Sequence, residues 1–489
     1  MRILLYNPST GYYTRAISNP LGLLCIASFL KNDGHEIKLI DHCIKNTNIK
    51  KDIEDFRPDI IGISIMSGRG LKDSMKIAKA ARQFGLPVLC GGYFPTMNPE
   101  AILDNGIADI VMCSEGELTF IELIEYYKGN KSLADINGIV YKENGKIVKT
   151  ADRDFADLSD FPMIDWSIIN PRDYFQHFFH CNKMLYLYSS KGCPCSCKFC
   201  SNHYYNRSTF RKRPNEYVIE EIKTLINDYG MDGVYFTGEL WCLKKHDAYD
   251  FCQKVKENNL NFTWGMLARA GQYTREDFQV FREAGCRYIC FGIETGSERL
   301  QKELNKNVNL EKARQNFEDC DALGITSVAS FMIGLPGEEE EEIIQTIEYI
   351  KSIKASITLI YKFSPIKNTE IYNELVTQKC IFPQEISLES MYKNIDMENP
   401  IDNFSKISDR DLNVIKAHFD WKAFTGKKTV NDSFGYAFAF QTIVNGLKSI
   451  SKYGFIGFFV NGFKAFEEFI KVWYYSHCFG SVLKKYNLK

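Results

Sequence analysis

Between residues 1 and 128, short apolar runs alternate with stretches whose apolar positions recur every three or four residues. The runs RILLY (2–6), EIKLID (36–41), DIIGISI (59–65), PVLCGG (87–92) and DIVMC (109–113) predict strands. LGLLCIASFLKNDG (21–34), LKDSMKIAKAARQFG (71–85) and GELTFIELIEYYK (116–128) predict helices. Repeated βα units of this size imply a parallel, doubly wound sheet, whose ligands sit at the carboxyl ends of the strands. Those ends carry NPSTG (7–11), SIMSGRG (64–70), GGYFPT (91–96) and SEGE (114–117), small residues that let a bulky planar ligand approach the backbone. Residues 135–150 predict a β-hairpin turning at Asn144-Gly145. Residues 151–184 are polar, proline-containing and aperiodic, as a linker would be.

A second alternating series starts at MLYLYSS (184–190). It continues through GVYFTGE (233–239), FTWGMLAR (262–269), YICFGIE (288–294), SVASFMIGLPG (327–337) and ITLIYKFSPI (357–366), with helical patterns between. Six such units imply a barrel or partial barrel with its site at the C-terminal strand face. Beyond about residue 390 only helical patterns appear, and 433–476 is unusually aromatic. The chain therefore reads as α/β: a doubly wound Rossmann-like domain (1–150), a linker (151–184), a partial (β/α)6 barrel (185–390) and a mostly helical C-terminal region (391–489).

Composition narrows the function classes. The 489 residues carry 60 Lys plus Arg against 61 Asp plus Glu, and no basic stripe points to nucleic acid. The start, MRILLYNPS, reads as a strand and not as a signal peptide. No apolar run of about 18 residues predicts a membrane span. A cytoplasmic protein is expected, in which the sixteen cysteines are reduced thiols, some of them metal ligands. Cys25, Cys90, Cys113 and Cys320 stand singly in apolar contexts and read as small buried hydrophobes.

Four cysteines depart from that pattern. KGCPCSCKFCSN (191–202), in the loop after the first barrel strand, holds Cys193, Cys195, Cys197 and Cys200. Cys193, Cys197 and Cys200 have the spacing C-x3-C-x2-C. Structural zinc takes four ligands, usually as two separated pairs, and the only nearby histidine is His203. An iron–sulfur cluster takes thiolates from one short loop, and three ligands leave one iron open. Zinc and plain surface thiols remain the alternatives.

GCPCSCKFC at the head of a (β/α)6-like series resembles the radical S-adenosylmethionine (radical SAM) superfamily, down to the aromatic Phe199 before the last cysteine. The resemblance implies a [4Fe-4S] cluster on Cys193, Cys197 and Cys200, with S-adenosylmethionine chelating the open iron through its amino and carboxylate groups. One-electron reduction would then yield a 5′-deoxyadenosyl radical. By the same resemblance the end of the second strand, Thr237-Gly238-Glu239, meets the methionine amino group. Arg269 pairs with the carboxylate, Glu294 binds the ribose, and IGLPGE (333–338) lies against the adenosine. The family usually carries a pair of aspartates where this chain has Gly238-Glu239.

A doubly wound domain ahead of such a barrel resembles the cobalamin-binding radical SAM enzymes over about residues 1–375. PLGLLCIASFLKNDGHEIKLID (20–41), GISI (62–65), GGYFPTMNPEAIL (91–103) and SEGELTFIELI (114–124) carry that resemblance. It implies cobalamin buried among Ser64, Gly91, Gly92 and the turn containing Glu115 and Gly116. The loop NPSTGYYTR has no histidine, and Asp33-Gly34-His35 lies on the wrong edge, so no protein histidine is expected on cobalt. Arg69 is the candidate for its lower side. The resemblance further implies methyl transfer to an unactivated carbon of a hydrophobic or natural-product substrate, and a reducing partner such as flavodoxin or ferredoxin. The alternatives are oxidative cyclisation or rearrangement without methyl transfer, and a non-enzymatic corrinoid carrier or redox protein. The aromatic tail reads as helix packing, as the wall of a greasy substrate pocket, or as a peripheral contact with the inner membrane face.

Overall fold

The computed structural model describes residues 1–10, 18–178, 180–381, 403–425 and 470–488. They form two compact units that meet in sequence at Tyr174/Phe175.

The first unit is a seven-stranded sheet. Its strands are β1 (Arg2–Asn7), β2 (Glu36–Asp41), β3 (Ile60–Ser64), β4 (Val88–Gly91), β5 (Ile110–Met112), β6 (Ile139–Glu143) and β7 (Lys146–Lys149). The order is β2-β1-β3-β4-β5-β6-β7, and β1 to β5 are parallel. Successive residues feed opposite cores. Leu4, Tyr6, Ile61 and Ile63 pack on one face, and Ile3, Leu5, Ile60 and Leu89 on the other. Strands buried on both faces need such continuous apolar runs, which is why the sequence pattern located them. The hairpin extends this sheet antiparallel to β5. Asn144 and Gly145 both have positive φ (50° and 76°), as a two-residue hairpin turn requires.

Residues 151–184, expected as a linker, divide between the units. The part up to Tyr174 packs on the first sheet's layers. Leu158, Phe161, Trp166 and Tyr174 are buried, and the Tyr174 hydroxyl donates to Asp41 at 2.9 Å. The remainder enters the second sheet.

That sheet contains β8 (Gln176–Phe178), β9 (Cys181–Tyr188), β12 (Gly233–Thr237), β13 (Thr263–Ala268), β14 (Cys286–Glu294), β15 (Thr326–Ile333) and β16 (Ile357–Lys362). The order β16-β15-β14-β13-β12-β9-β8 leaves two open edges, a half-barrel of six parallel strands with β8 antiparallel. Trp241, Trp264, Phe236, Phe251 and Phe281 form an aromatic core between sheet and helices, with Phe251 edge-on to Phe236 and Trp264, Phe281 edge-on to Trp241, and the two tryptophans tilted at 37° to each other. A two-stranded ribbon, β10 (Ser190–Gly192) with β11 (Phe210–Lys212), brackets the cysteine loop.

The helix Asp409–Thr425 packs against β16. Lys485, from the helix Gly480–Lys485, joins Asp411 (3.3 Å) and Glu340 (2.6 Å), so the C-terminal segment belongs to the second unit. Most of the aromatic stretch 433–476 lies outside the described residues. No described helix is long and apolar enough to cross a membrane.

Candidate functional site

The cysteine loop begins with a residue that only glycine can supply. Gly192 has φ +81°, and a Cβ there would stand 2.2 Å from the carbonyl oxygen of Thr209, the residue before β11. Cys193, Cys197 and Cys200 follow on a turn in which the Cys200 amide donates to the Cys197 carbonyl. Asn202 holds the Cys193 carbonyl at 2.6 Å. Lys198 donates its amide to Leu304 O (3.0 Å) and accepts from Ile371, and Asn305 donates to Ser196 O (2.9 Å). The loop is thus laced to residues 304–305 and to the helix Glu370–Thr377.

The chemistry of this donor set suits an iron–sulfur cluster, three thiols on one short turn with cations beside them, but among the described residues no three thiols converge into a group that could hold a metal ion. Burial pushes the Cys200 thiol up to about 11 and raises Cys197 as well. Cys193 donates to Cys195, which raises Cys193 and lowers Cys195. Ligation requires thiolates, so binding iron here releases protons. His203 instead bonds the Ser208 hydroxyl at 2.8 Å. Phe199 packs with Leu300, Leu304 and Leu335, beneath the Lys306 ammonium at 6.0 Å. All sixteen cysteines are free thiols; Cys25, Cys90 and Cys320 are buried, and Cys113 is partly so.

The other strand ends converge on this loop. Glu239, past the end of β12, accepts from the Gly192 amide and from Asn206, each at 2.9 Å. Its carboxylate therefore braces the loop, with lone pairs remaining for a further donor. Gly238 precedes it with φ +128°. Arg269, past β13, donates to Cys195 Sγ (3.3 Å) and to the Lys306 and Asn307 carbonyls. Glu294 ends β14 at an irregularity in the β14–β15 register and has φ +73°, a conformation rare for a residue other than glycine. Its Oε1 lies 3.1 Å from Lys306 Nζ, and both side chains are 13% exposed. Lys306 was not legible in the sequence: it lies in the polar loop LNKNVN, twelve residues past Glu294 and without a motif spacing. Glu338, in IGLPGE, is buried and accepts the Gly334 and Leu335 amides at 2.6 and 3.1 Å.

In the first unit the predicted residues also gather at the carboxyl edge. Ser64 ends β3 opposite Gly91, which ends β4. Gly92 has φ +100°, and a Cβ there would stand 2.9 Å from Ile65 O and 3.1 Å from Ser64 Oγ. Arg69 sits in the 3-10 turn Gly68–Gly70 after β3. Glu115 and Gly116 form the turn before the helix Glu117–Tyr127, and the adjacent Ser114 amide donates to Thr96 Oγ1 at 2.9 Å. Met66 is 66% exposed on the same edge. Small residues, hydroxyls and an exposed thioether fit a large, amide-rimmed macrocycle. His35, on the opposite edge, bonds the N-terminal amine at 3.1 Å.

Residues 14–124 match the B12 binding domain, and residues 187–350 match the radical SAM superfamily. The chain is 27% identical over 392 residues to a protein of Pyrococcus horikoshii described as an uncharacterized methyltransferase, covering 78% of this chain and 84% of that one. It is 24% identical over 402 residues to the anaerobic magnesium-protoporphyrin IX monomethyl ester cyclase of Rubrivivax gelatinosus, covering 79% and 72%. Among solved structures, the radical S-adenosylmethionine methyltransferase TsrM from Kitasatospora setae, with cobalamin and a [4Fe-4S] cluster bound, shares the fold. Its TM-score is 0.65 at 16% identity, covering 77% of this chain and 75% of that one.

Proposed function

We propose, from the premise that a chain joining a B12-binding domain to a radical SAM domain belongs to the cobalamin-dependent radical SAM enzymes, that this protein methylates an unactivated carbon of a hydrophobic, polycyclic or natural-product substrate. When bound, the cluster, S-adenosylmethionine and cobalamin supply the one-electron and methyl-carrying chemistry. The chain's own residues position them. Cys193, Cys197 and Cys200 would hold the cluster. Arg269, with Lys306 beside it, would pair with the methionine carboxylate, while Glu239 and the backbone at Gly238 would receive its amino group. Glu294, fixed by Lys306, would meet the ribose hydroxyls. Ser64, Arg69, Gly91, Gly92, Glu115 and Gly116 would line the corrin site.

The observation that carries this reading is the cluster of Arg269, Lys306 and Glu294 beside the cysteine loop. Two oppositely charged groups held at a strand end with a rare backbone conformation suit a zwitterionic ligand. Likeness to the magnesium-protoporphyrin cyclase favours a second reading, oxidative ring closure on a polycyclic substrate without methyl transfer. Anaerobic reconstitution with cluster and cobalamin, followed by turnover with methyl-labelled S-adenosylmethionine, separates the two. Methylation yields S-adenosylhomocysteine and 5′-deoxyadenosine in comparable amounts, with label in the product. Deoxyadenosine without S-adenosylhomocysteine marks the second reading.

Two further contacts belong to the proposal. A small acidic electron carrier such as flavodoxin or ferredoxin would reduce the cluster. Ile470, Trp473 and Tyr474, each 45–48% exposed at helical spacing, would rest on a bilayer face, giving a cytoplasmic enzyme a peripheral membrane contact. Co-sedimentation with anionic vesicles, lost in a Trp473→Glu variant, tests that contact.

A further inference from the structure

His42 is the first residue after β2, and 2% of its surface is exposed. Its backbone amide donates to Asn7 O, the last residue of β1, at 2.9 Å. Its Nδ1 lies 2.7 Å from Asp73 Oδ2, and the same oxygen accepts the Ser9 amide at 2.7 Å. Asp73 stands in the first turn of the helix Leu71–Gln83, which follows β3. The Cys43 thiol donates to Pro8 O at 3.5 Å. One buried side chain and its neighbours therefore stitch together the carboxyl ends of β2, β1 and β3, on the edge where an open α/β sheet receives its ligand. The chain leaves β1 toward that edge through Pro8, Ser9 and Thr10.

The hydrogen bonds fix the roles. An ionised carboxylate only accepts, so Nδ1 carries a proton and donates to Asp73. Burial works against the Asp73 charge, but the His42 and Ser9 bonds outweigh it and leave its pKa below the ordinary carboxylate value. His42 Nε2 lies 3.1 Å from Thr47 Oγ1, which in turn bonds Asp52, and Asp52 takes the Tyr6 hydroxyl at 3.4 Å. Neither ring nitrogen is left for a metal. A buried polar relay of this kind costs desolvation that apolar packing would avoid. What it provides is fixed geometry at Ser9.

We propose that His42, acting through Asp73, is a positioning residue for cobalamin: it holds the backbone at Ser9 and so shapes the lip of the corrin site after β1, without ligating cobalt. This rests on the reading that the first unit binds cobalamin. The test uses the full chain with its cluster reconstituted, titrated with hydroxocobalamin, then reduced to cob(II)alamin for electron paramagnetic resonance. His42→Ala is expected to weaken cobalamin binding roughly tenfold or more and to alter the cobalt hyperfine pattern. His42→Asn, whose amide N–H replaces the Nδ1 donor, is expected to restore both. Thr47→Ala, on the far branch, is expected to change neither. Should His42→Ala not fold, His42→Asn against Asp73→Asn makes the same comparison. Wild-type affinity and spectrum in a folded variant lacking the His42–Asp73 bond overturn the proposal. So does nitrogen superhyperfine splitting in the wild type that disappears in His42→Asn, which would make His42 a ligand. Failure of the wild type to bind cobalamin refutes the underlying reading instead.

Discussion

Arg269 Nη1 donates to Cys195 Sγ at 3.3 Å, while the same guanidinium grips the carbonyls of Lys306 and Asn307. Cys195, the fourth thiol of the loop, is thus a hydrogen-bond acceptor for Arg269, the proposed partner of the methionine carboxylate. Its expected role differs from that of its neighbours. Cys195→Ala should retain a full complement of iron and sulfide after reconstitution, whereas Cys193→Ala should lose the cluster's visible absorbance. Iron and sulfide analysis beside the absorption spectrum checks both, and loss of the cluster in Cys195→Ala would move the ligand set to include it.

Lys306 and Glu294 form a pair that neither side chain can leave cheaply. Burial works against the Lys306 charge, but the Glu294 charge, the Cys197 sulfur and the Glu294 hydrogen bond together outweigh it and raise the Lys306 pKa, so the ammonium stays charged. Lys306→Met strands the carboxylate, a change that typically costs about 3–5 kcal/mol when a buried pair is broken. The thermal midpoint should fall, and S-adenosylmethionine binding by isothermal titration should weaken more than in Glu294→Gln, which keeps a neutral acceptor. Equal binding by Lys306→Met and wild type would remove Lys306 from the cofactor site.

The strands and most helices were legible because parallel strands buried on both faces leave unbroken apolar runs, as at Ile60–Ser64 and Val88–Gly91. The helix Ile49–Phe56 was not, because it buries only Ile53 and Phe56 in an otherwise charged segment and starts on an Asn48 cap. Nor was the β10–β11 ribbon, whose strands, Ser-Lys-Gly and Phe-Arg-Lys, have three residues each and no apolar run. Cys193, Cys197 and Cys200 could be proposed as ligands from the sequence because such chemistry depends on local spacing. Lys306 and the His42–Asp73 pair could not, since their partners are distant in sequence and only the strand ends bring them together.

Glu239 braces the loop it was expected to serve only as a ligand contact. Glu239→Ala leaves the Gly192 amide and the Asn206 side chain without their shared acceptor, worth about 1–3 kcal/mol where such groups are buried. The cluster should then be lost faster to chelator or air, even with no S-adenosylmethionine present. Glu239→Gln keeps one acceptor oxygen and should fall between alanine and wild type. Unchanged cluster lifetime in Glu239→Ala would show that the brace contributes nothing to the loop.

Glu338 gives the half-barrel a pH signature. Burial drives its carboxyl up from 4.5 to about 8, against the opposing amides of Gly334 and Leu335. Its Oε1 is buried with no hydrogen-bond partner among the described residues, so the ionised form strands a charge. The folded protein therefore holds this proton more tightly than the unfolded chain does. The stabilisation from the neutral acid is complete below the unfolded value and is lost as pH rises through the folded one. Across that window the slope is at most about 1.4 kcal/mol per pH unit. Glu338→Gln keeps an oxygen for the two amides and does not ionise. The difference in thermal midpoint, wild type minus variant, should accordingly fall steadily from pH 5 to pH 8 and then level off. A difference that stays flat across that range would mean that Glu338 is already ionised in the folded protein.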